Sequence, residues 1–346
     1  MKGLILTYLI AAFGTIGALR YPLIGLYVFA GFAIVRPQII FAFAGDIRYI
    51  SLVIGIALLF GWAVKGFGSW RMGRARPIVI AFLLFVTWFV LAAFLALDTE
   101  TSYLAAQEFA KLVLPFLAGV SLMKDEKDAR PLLWTIVLAQ GYVGFEMNLS
   151  YLFKGFNSAQ EGFGGMDNNF FGVSLVCVIG PALMLMLTSK TWYARCLAAA
   201  SAALILHTTL LTFSRGAMLG LIAVVITAAV MLPKRPKYVG AVLVVVLLAA
   251  RLVGPQLASR YGSAFANQEE RDGSSESRLE LWRDCMKVVA DKPVFGVGPW
   301  NWAVVAESYG WPAGKSAHSV WMETAAEIGV PGVVAMIAFF GLAAVR

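Results

Sequence analysis

PIVIAFLLFVTWFVLAAFLAL, residues 77–97, carries no charged side chain; Arg74 and Arg76 precede it and Asp98 follows. Wound as an α-helix at about 1.5 Å per residue, it reaches about 31 Å, which matches the hydrocarbon core of a bilayer. Its residues do not alternate between apolar and polar, so it does not read as a strand of a membrane barrel. Blocks of the same kind recur at about 3–19, 22–35, 49–64, 104–122, 131–153, 170–188, 195–213, 216–232, 238–254 and 318–345. The expected fold is all-α, a polytopic bundle of about ten or eleven transmembrane helices. Residues 1–254 form the bundle, 255–316 an extramembrane loop domain with an amphipathic helix, and 317–346 a short helix leading into the final span.

Composition supports this reading, since 60% of the 346 residues are apolar, 14% are charged and the mean hydropathy is +0.77. The formal charge of +8 lies scattered between apolar blocks, which argues against a nucleic-acid surface and for topology as its purpose. Cys177 and Cys196 fall in apolar runs and Cys285 stands alone, so no disulfide framework is expected. Residues 3–19 have the length of a signal peptide's apolar core, but Arg20-Tyr21-Pro22 runs directly into more apolar sequence. They are read as part of the mature chain.

Basic connections occur around 65–76, at Lys124, Lys127 and Arg130, at Lys190 and Arg195, and at Lys234, Arg235 and Lys237. They fall on alternate loops, which places those loops in the cytoplasm and 98–103, 154–169, 214–216 and 255–316 on the opposite face. Counting back puts the N-terminus outside, against the preference of Met1 and Lys2. The first two segments are short, and one of them is a candidate re-entrant segment.

In the long external segment, Ser274 to Asp291 reads as an amphipathic helix with Leu279, Trp282, Met286 and Val289 on one stripe. Pro293 ends it, and Trp300, Trp302, Tyr309 and Trp311 suit the lipid headgroup level. The 255–277 stretch, rich in Ser, Gly and charge, is expected to be mobile.

Two histidines are present. His318 is expected in the first turn of the last helix, with Ser316 as N-cap, where the positive helix end disfavours imidazolium and leaves a base able to accept a proton. The alternative is an interfacial histidine beside Trp321. His207, inside an apolar helix, reads as structural. Arg215, in Ser214-Arg215-Gly216-Ala217 between two apolar helices, either binds an anion such as phosphate or snorkels to the membrane boundary. Arg278 lies four residues before Trp282 on the same helix face, with a surface ion pair to Glu276 or Glu280 as the alternative. Arg283 points away. Lys111 is a buried-cation candidate one turn after Glu108. Asp167-Asn168-Asn169 either caps the next helix or binds sugar hydroxyls. No zinc-ligand spacing, Asp-x-Asp pair, Walker loop or Gly-x-Ser-x-Gly elbow occurs, so no metal or other cofactor is expected.

Ser214-Arg215-Gly216-Ala217, then Arg278-x-x-x-Trp282 running into Pro293-Val-Phe-Gly296-Val-Gly298-Pro299, then Ala317-His318-Ser319 through Glu327-Ile-Gly329-Val-Pro331-Gly332 resemble the O-antigen ligase superfamily. That superfamily also contains O-antigen polymerases and protein O-glycosylation ligases. Arg20-Tyr21-Pro22-Leu-Ile-Gly25 and Arg36-Pro37 look most like its exosortase-associated O-glycosylation ligase branch. The resemblance implies a metal-independent, GT-C-like ligase fold in the bacterial inner membrane. It also implies transfer of a glycan from undecaprenyl diphosphate to an acceptor hydroxyl of a glycolipid, protein or glycan on the periplasmic face. His318 matches the family's essential histidine, and Arg215 and Arg278 match arginines that hold the diphosphate. Lys111, Asn168, Asn169, Trp282 and Glu323 are the candidate substrate contacts. Members continue for at least another helix, whereas the sixteen residues from Pro331 to Arg346 make about 24 Å of helix, so the chain end is read as a truncation. A lipid-linked oligosaccharide flippase is the competing reading from another class, and it would bind such a donor without turnover.

Overall fold

The computed structural model describes residues 2–41, 49–231, 240 and 273–345. Those residues are almost entirely helical, joined by short turns, with one isolated bridge between Phe163 and Met166. The helices are α1 (Lys2–Arg20), α2 (Pro22–Val35), α3 (Pro37–Ile40), α4 (Tyr49–Val64), α5 (Arg76–Phe94), α6 (Thr99–Leu122), α7 (Glu126–Lys154), α8 (Asn168–Thr188), α9 (Trp192–Leu211), α10 (Arg215–Met231), α11 (Gly273–Asp291), α12 (Trp302–Val305) and α13 (Val320–Val345). Seven stretches among the described residues are long and apolar enough to cross a membrane, and α4 and α10 are shorter apolar helices. The chain is a polytopic helical bundle. α1 has the length of a full span, whereas α2 and α3 together cover 19 apolar residues with a left-handed break at Arg36. The expected segment at 238–254, the basic loop at 234–237 and the stretch 255–272 lie outside the described residues.

Two compact units emerge, divided differently from the linear partition into bundle and loop. The first comprises Met1–Phe67 with Leu122–Ala266, and the second Gly68–Ser121 with Asn267–Arg346. In the first, α7, α8 and α9 surround an apolar core that includes Val143, Phe171, Leu175, Ile179, Leu185 and Ile205. Close approach is secured by small residues, as membrane helices require when lipid is as apolar as their own side chains. A Cβ on Gly141 would lie 2.8 Å from Ser201 Oγ, and one on Gly61 would lie 2.1 Å from the Ala18 carbonyl oxygen.

In the second unit, α5 packs along α13, and α11 packs on the start of α13. Gly329 (φ 71°) interrupts α13, so only Val330–Val345 continues straight beyond it. Such a break releases backbone groups that must be paired elsewhere when buried. Here four of them find partners. Ala326 and Glu327 carbonyls accept from the Val297 and Gly298 amides (2.9 and 2.8 Å), the Ile328 carbonyl accepts from Trp88 Nε1 (2.8 Å), and the Val330 amide donates to the Pro293 carbonyl (2.9 Å). Pro331 has no N–H to satisfy. A Cβ on Gly329 would lie 2.2 Å from the Val294 carbonyl oxygen, and glycine also tolerates the left-handed backbone.

Candidate functional site

In the first unit, two helix starts meet. Asp167 caps α8 by accepting from the amides of Asn169 (2.9 Å) and Phe170 (2.8 Å), so this carboxylate is the helix cap that its position before the span suggested. Asn168 donates to the Thr212 carbonyl (3.1 Å), and Asn169 accepts from the Ser214 hydroxyl (2.9 Å). Ser214 Oγ also accepts from the Ala217 amide (3.1 Å), which caps α10. Arg215 is therefore the first residue of α10, half-buried, beside a turn in which Phe213 holds a left-handed φ of 52°. Two helix N-termini and a guanidinium in one place suit an oxyanion, since each start carries partial positive charge.

Arg36 belongs to this neighbourhood and was missed as a site residue. It ends α2 in a left-handed conformation (φ 47°), and its guanidinium donates to the Gly164 carbonyl in the turn just before Asp167. The signal was an arginine between two apolar segments, the same signal that singled out Arg215. His207 pairs its Nδ1 with Asn148 Oδ1 on α7, while Asn148 Nδ2 donates to Thr208 Oγ1 (2.8 Å). Both contacts run between α7 and α9, which gives His207 a part in packing that helix pair.

In the second unit, His318 lies before the last helix and not in its first turn. α13 begins at Val320, Ser319 takes the cap position with its hydroxyl 3.4 Å from the Met322 amide, and His318 itself is left-handed (φ 50°). Ser316 does not cap the helix. Its hydroxyl accepts from the His318 amide (3.2 Å) and donates to Glu323 (3.1 Å), whose carboxylate also accepts from the Ala317 amide. On the other side, Trp282 Nε1 donates to the Ala317 carbonyl (2.9 Å), and Ala317 is fully buried. The chain entering His318 is thus held from both α11 and α13. Arg278, exposed, lies one turn before Trp282 on the same helix. The second unit therefore brings Arg278, Trp282, His318 and Glu323 to adjoining elements, with Trp282 and Glu323 as anchors of the His318 backbone.

The buried face of α11 is Leu281, Cys285, Val288 and Val289 with Trp282, whereas Leu279 (53% exposed) and Met286 (49%) face out. The expected stripe was rotated by about one residue, because Leu and Met can occupy either face and the partner decides. Of the aromatics after Pro293, Trp302 departs from the headgroup-level expectation. Trp302 is fully buried in a core with Leu281, Cys285, Val297 and Ala306, Tyr309 and Trp311 pack onto it, and Trp300 remains half exposed. Trp311 Nε1 donates to Asp284 (2.9 Å). Burial, with Glu323 and Asp284 nearby, pushes the Cys285 thiol up to about 12, which keeps it protonated and removes it as a nucleophile. Lys111 is not buried. It is exposed on α6, one of the candidate spans, and ion-paired with Glu108 three residues earlier. Asn301, fully buried, was not anticipated. It accepts from the Asp98 amide (2.7 Å) and donates to Ser102 Oγ (2.9 Å), which ties the 299–301 turn to the start of α6.

Among the described residues, no three His, Cys, Asp or Glu side chains are grouped to hold a metal ion. Residues 199–337 match a family model described as O-Antigen ligase. That region contains Arg215, Arg278 and His318 and stops short of Asn168, Asn169 and Lys111. No curated protein sequence matches the chain. The resemblance to O-antigen ligases is thereby supported at the level of the superfamily.

Proposed function

We propose that the protein is a ligase-type glycosyltransferase that moves a glycan from undecaprenyl diphosphate to an acceptor hydroxyl at the periplasmic face of the bacterial inner membrane. The observation that carries this reading is the placement of His318, left-handed and held through Ser316, Glu323 and Trp282, inside the region similar to O-antigen ligases. Backbone strain retained by surrounding hydrogen bonds is characteristic of a side chain that must be aimed.

In this mechanism the imidazole of His318 takes the proton of the acceptor hydroxyl as its oxygen attacks the anomeric carbon. The bond from that carbon to the diphosphate oxygen breaks, and undecaprenyl diphosphate leaves. The negative charge that develops on the diphosphate calls for guanidinium groups, the role that the family resemblance gives to Arg215 and Arg278. Guanidinium groups bind phosphate oxygens in two-pronged fashion and stabilise the transition state more than the neutral acceptor complex. Neither a metal nor a nucleotide enters the reaction. Within the superfamily we propose the exosortase-associated branch, which the sequence around Arg20–Gly25 and Arg36-Pro37 resembles, with a glycolipid, protein or glycan as acceptor.

The test is to incubate the purified full chain with an undecaprenyl-diphosphate-linked glycan and candidate acceptors, then weigh the products. A glycosylated acceptor supports a ligase, and a doubled glycan on the carrier indicates a polymerase. In His318→Ala turnover should fall by about 10²-fold or more, the loss expected for a positioned base, with donor binding retained. Donor binding without any product in the unaltered protein would instead favour a flippase.

A further inference from the structure

At the far end of α8 from Asn168 and Ser214 lies a cavity of about 560 Å³, formed where α7 starts, α8 ends and α9 starts. The 21 residues of α8 put about 31 Å between the two ends, one bilayer thickness. The cavity is therefore on the opposite membrane face from the Arg215 cluster. We propose that it is a binding site for the phosphate of an anionic glycerophospholipid.

The walls supply the chemistry for phosphate. Lys127, Arg130 and Lys190 line it, with the hydroxyls of Thr188, Ser189 and Thr191 between them. Arg130 is partly buried and points inward, with Nη2 3.3 Å from Thr188 Oγ1 and 3.5 Å from Ser189 Oγ. Those hydroxyls hold the guanidinium in place through Nη2, and its Nη1 side turns toward Glu126 at the rim. Arg195 adds a further cation by donating to the Ser189 carbonyl at the same corner (2.8 Å). The two carboxylates of the lining are already engaged. Asp125 accepts from the Lys127 amide (2.8 Å) as the cap of α7, and Glu126, strongly exposed, sits 3.6 Å from Arg130 at the rim. α9, by contrast, starts at Thr191 without a side-chain cap.

Size and position favour a lipid over a free ion. The cavity, at about 560 Å³, is larger than a phosphate ion needs. It opens where three long helices leave the apolar zone, beside Trp192 and Tyr193, which are 75% and 63% exposed. Exposed aromatics at that depth mark the headgroup level, and basic pockets between helices on one membrane face bind phosphate headgroups. Trp134 on α7 closes the inner wall, where acyl chains begin.

Native mass spectrometry of the delipidated full chain, titrated with phosphatidylglycerol, phosphatidylethanolamine and inorganic phosphate, tests this. Phosphatidylglycerol should bind more tightly than phosphatidylethanolamine, and Lys190→Gln, a change of an exposed side chain, should weaken it by about fivefold, the effect of one cation near the headgroups. Arg130→Gln should weaken it at least as much, with Arg130→Lys intermediate to guard against a folding artefact. Arg283→Gln, on α11, should change nothing. Equal retention of the two lipids, or wild-type affinity in Lys190→Gln and Arg130→Lys, overturns the site. Displacement of the lipid by millimolar inorganic phosphate would assign the cavity to a soluble anion and overturn the lipid reading.

Discussion

Replacing Trp282 by phenylalanine keeps a ring on the buried face of α11 and deletes the indole N–H that donates to the Ala317 carbonyl at 2.9 Å. Ala317 is fully buried, so water cannot take over the bond. A buried acceptor left unpaired costs about 1–3 kcal/mol. That energy presently favours the placement of the chain immediately before His318, and its loss raises the share of displaced conformers by about 5- to 150-fold, at tenfold per 1.4 kcal/mol. In a turnover assay with lipid-linked donor, kcat should fall by up to that factor while KM for the donor changes little. Trp282 acts through the His318 backbone, so a rise in KM with kcat preserved would instead make it a direct substrate contact. Unchanged kcat and KM in a variant whose indole loss is verified would refute the anchoring argument altogether. Ser316→Ala, which removes the hydroxyl shared by the His318 amide and Glu323, should lower kcat in the same direction.

His318→Gly should melt at or above the wild-type temperature, because glycine escapes the roughly 1–2 kcal/mol that an L side chain pays in the left-handed region, yet lose turnover by about 10²-fold or more, as read by calorimetry and product mass. Arg215→Lys should be severely impaired although charge is kept, because an ammonium cannot make the two-pronged contact, whereas Arg283→Lys should match wild type in the same assay. Burial opposes ionisation of Asp284, but hydrogen bonds from Lys287 and the Trp311 indole hold its carboxyl below the ordinary range. Its folded-state pKa is depressed, so its stabilisation is complete above the ordinary carboxylate value of about 4 and is lost as pH falls through the lowered one. Melting temperature should therefore drop on the acid side, and less steeply in Asp284→Asn.

Hydropathy is a local property, which is why the spans were legible: the block expected at 170–188 is the helix Asn168–Thr188, and that at 49–64 is Tyr49–Val64. Asp167 before an apolar run was equally readable, since a cap depends only on its own next turn. What sequence does not carry is which face a helix turns inward. Leu279 and Met286 looked like core and are exposed, because Leu281, Cys285 and Val288 meet the aromatic cluster around Trp302. The start of α13 was misplaced for a related reason. Ser316 and Ser319 are both plausible caps, and only the left-handed turn at His318 decides between them. Arg215 and Arg36 shared one local signal, but the partner of Arg36, a carbonyl 128 residues away, appears only in three dimensions.

The interruption at Gly329 makes two distant stretches of chain a single joint. Residues 293–298 supply the amides and carbonyl that a continuous helix would have supplied to itself, so the register of the one is fixed by the register of the other. Inserting or deleting one residue in either stretch would miss three main-chain hydrogen bonds at once, and no point substitution elsewhere could realign them. The segment from Trp311 to Lys315 has no such obligation to the break. Length changes there leave the joint intact, so loops of different size can be grafted before His318 while the geometry behind it stays constant.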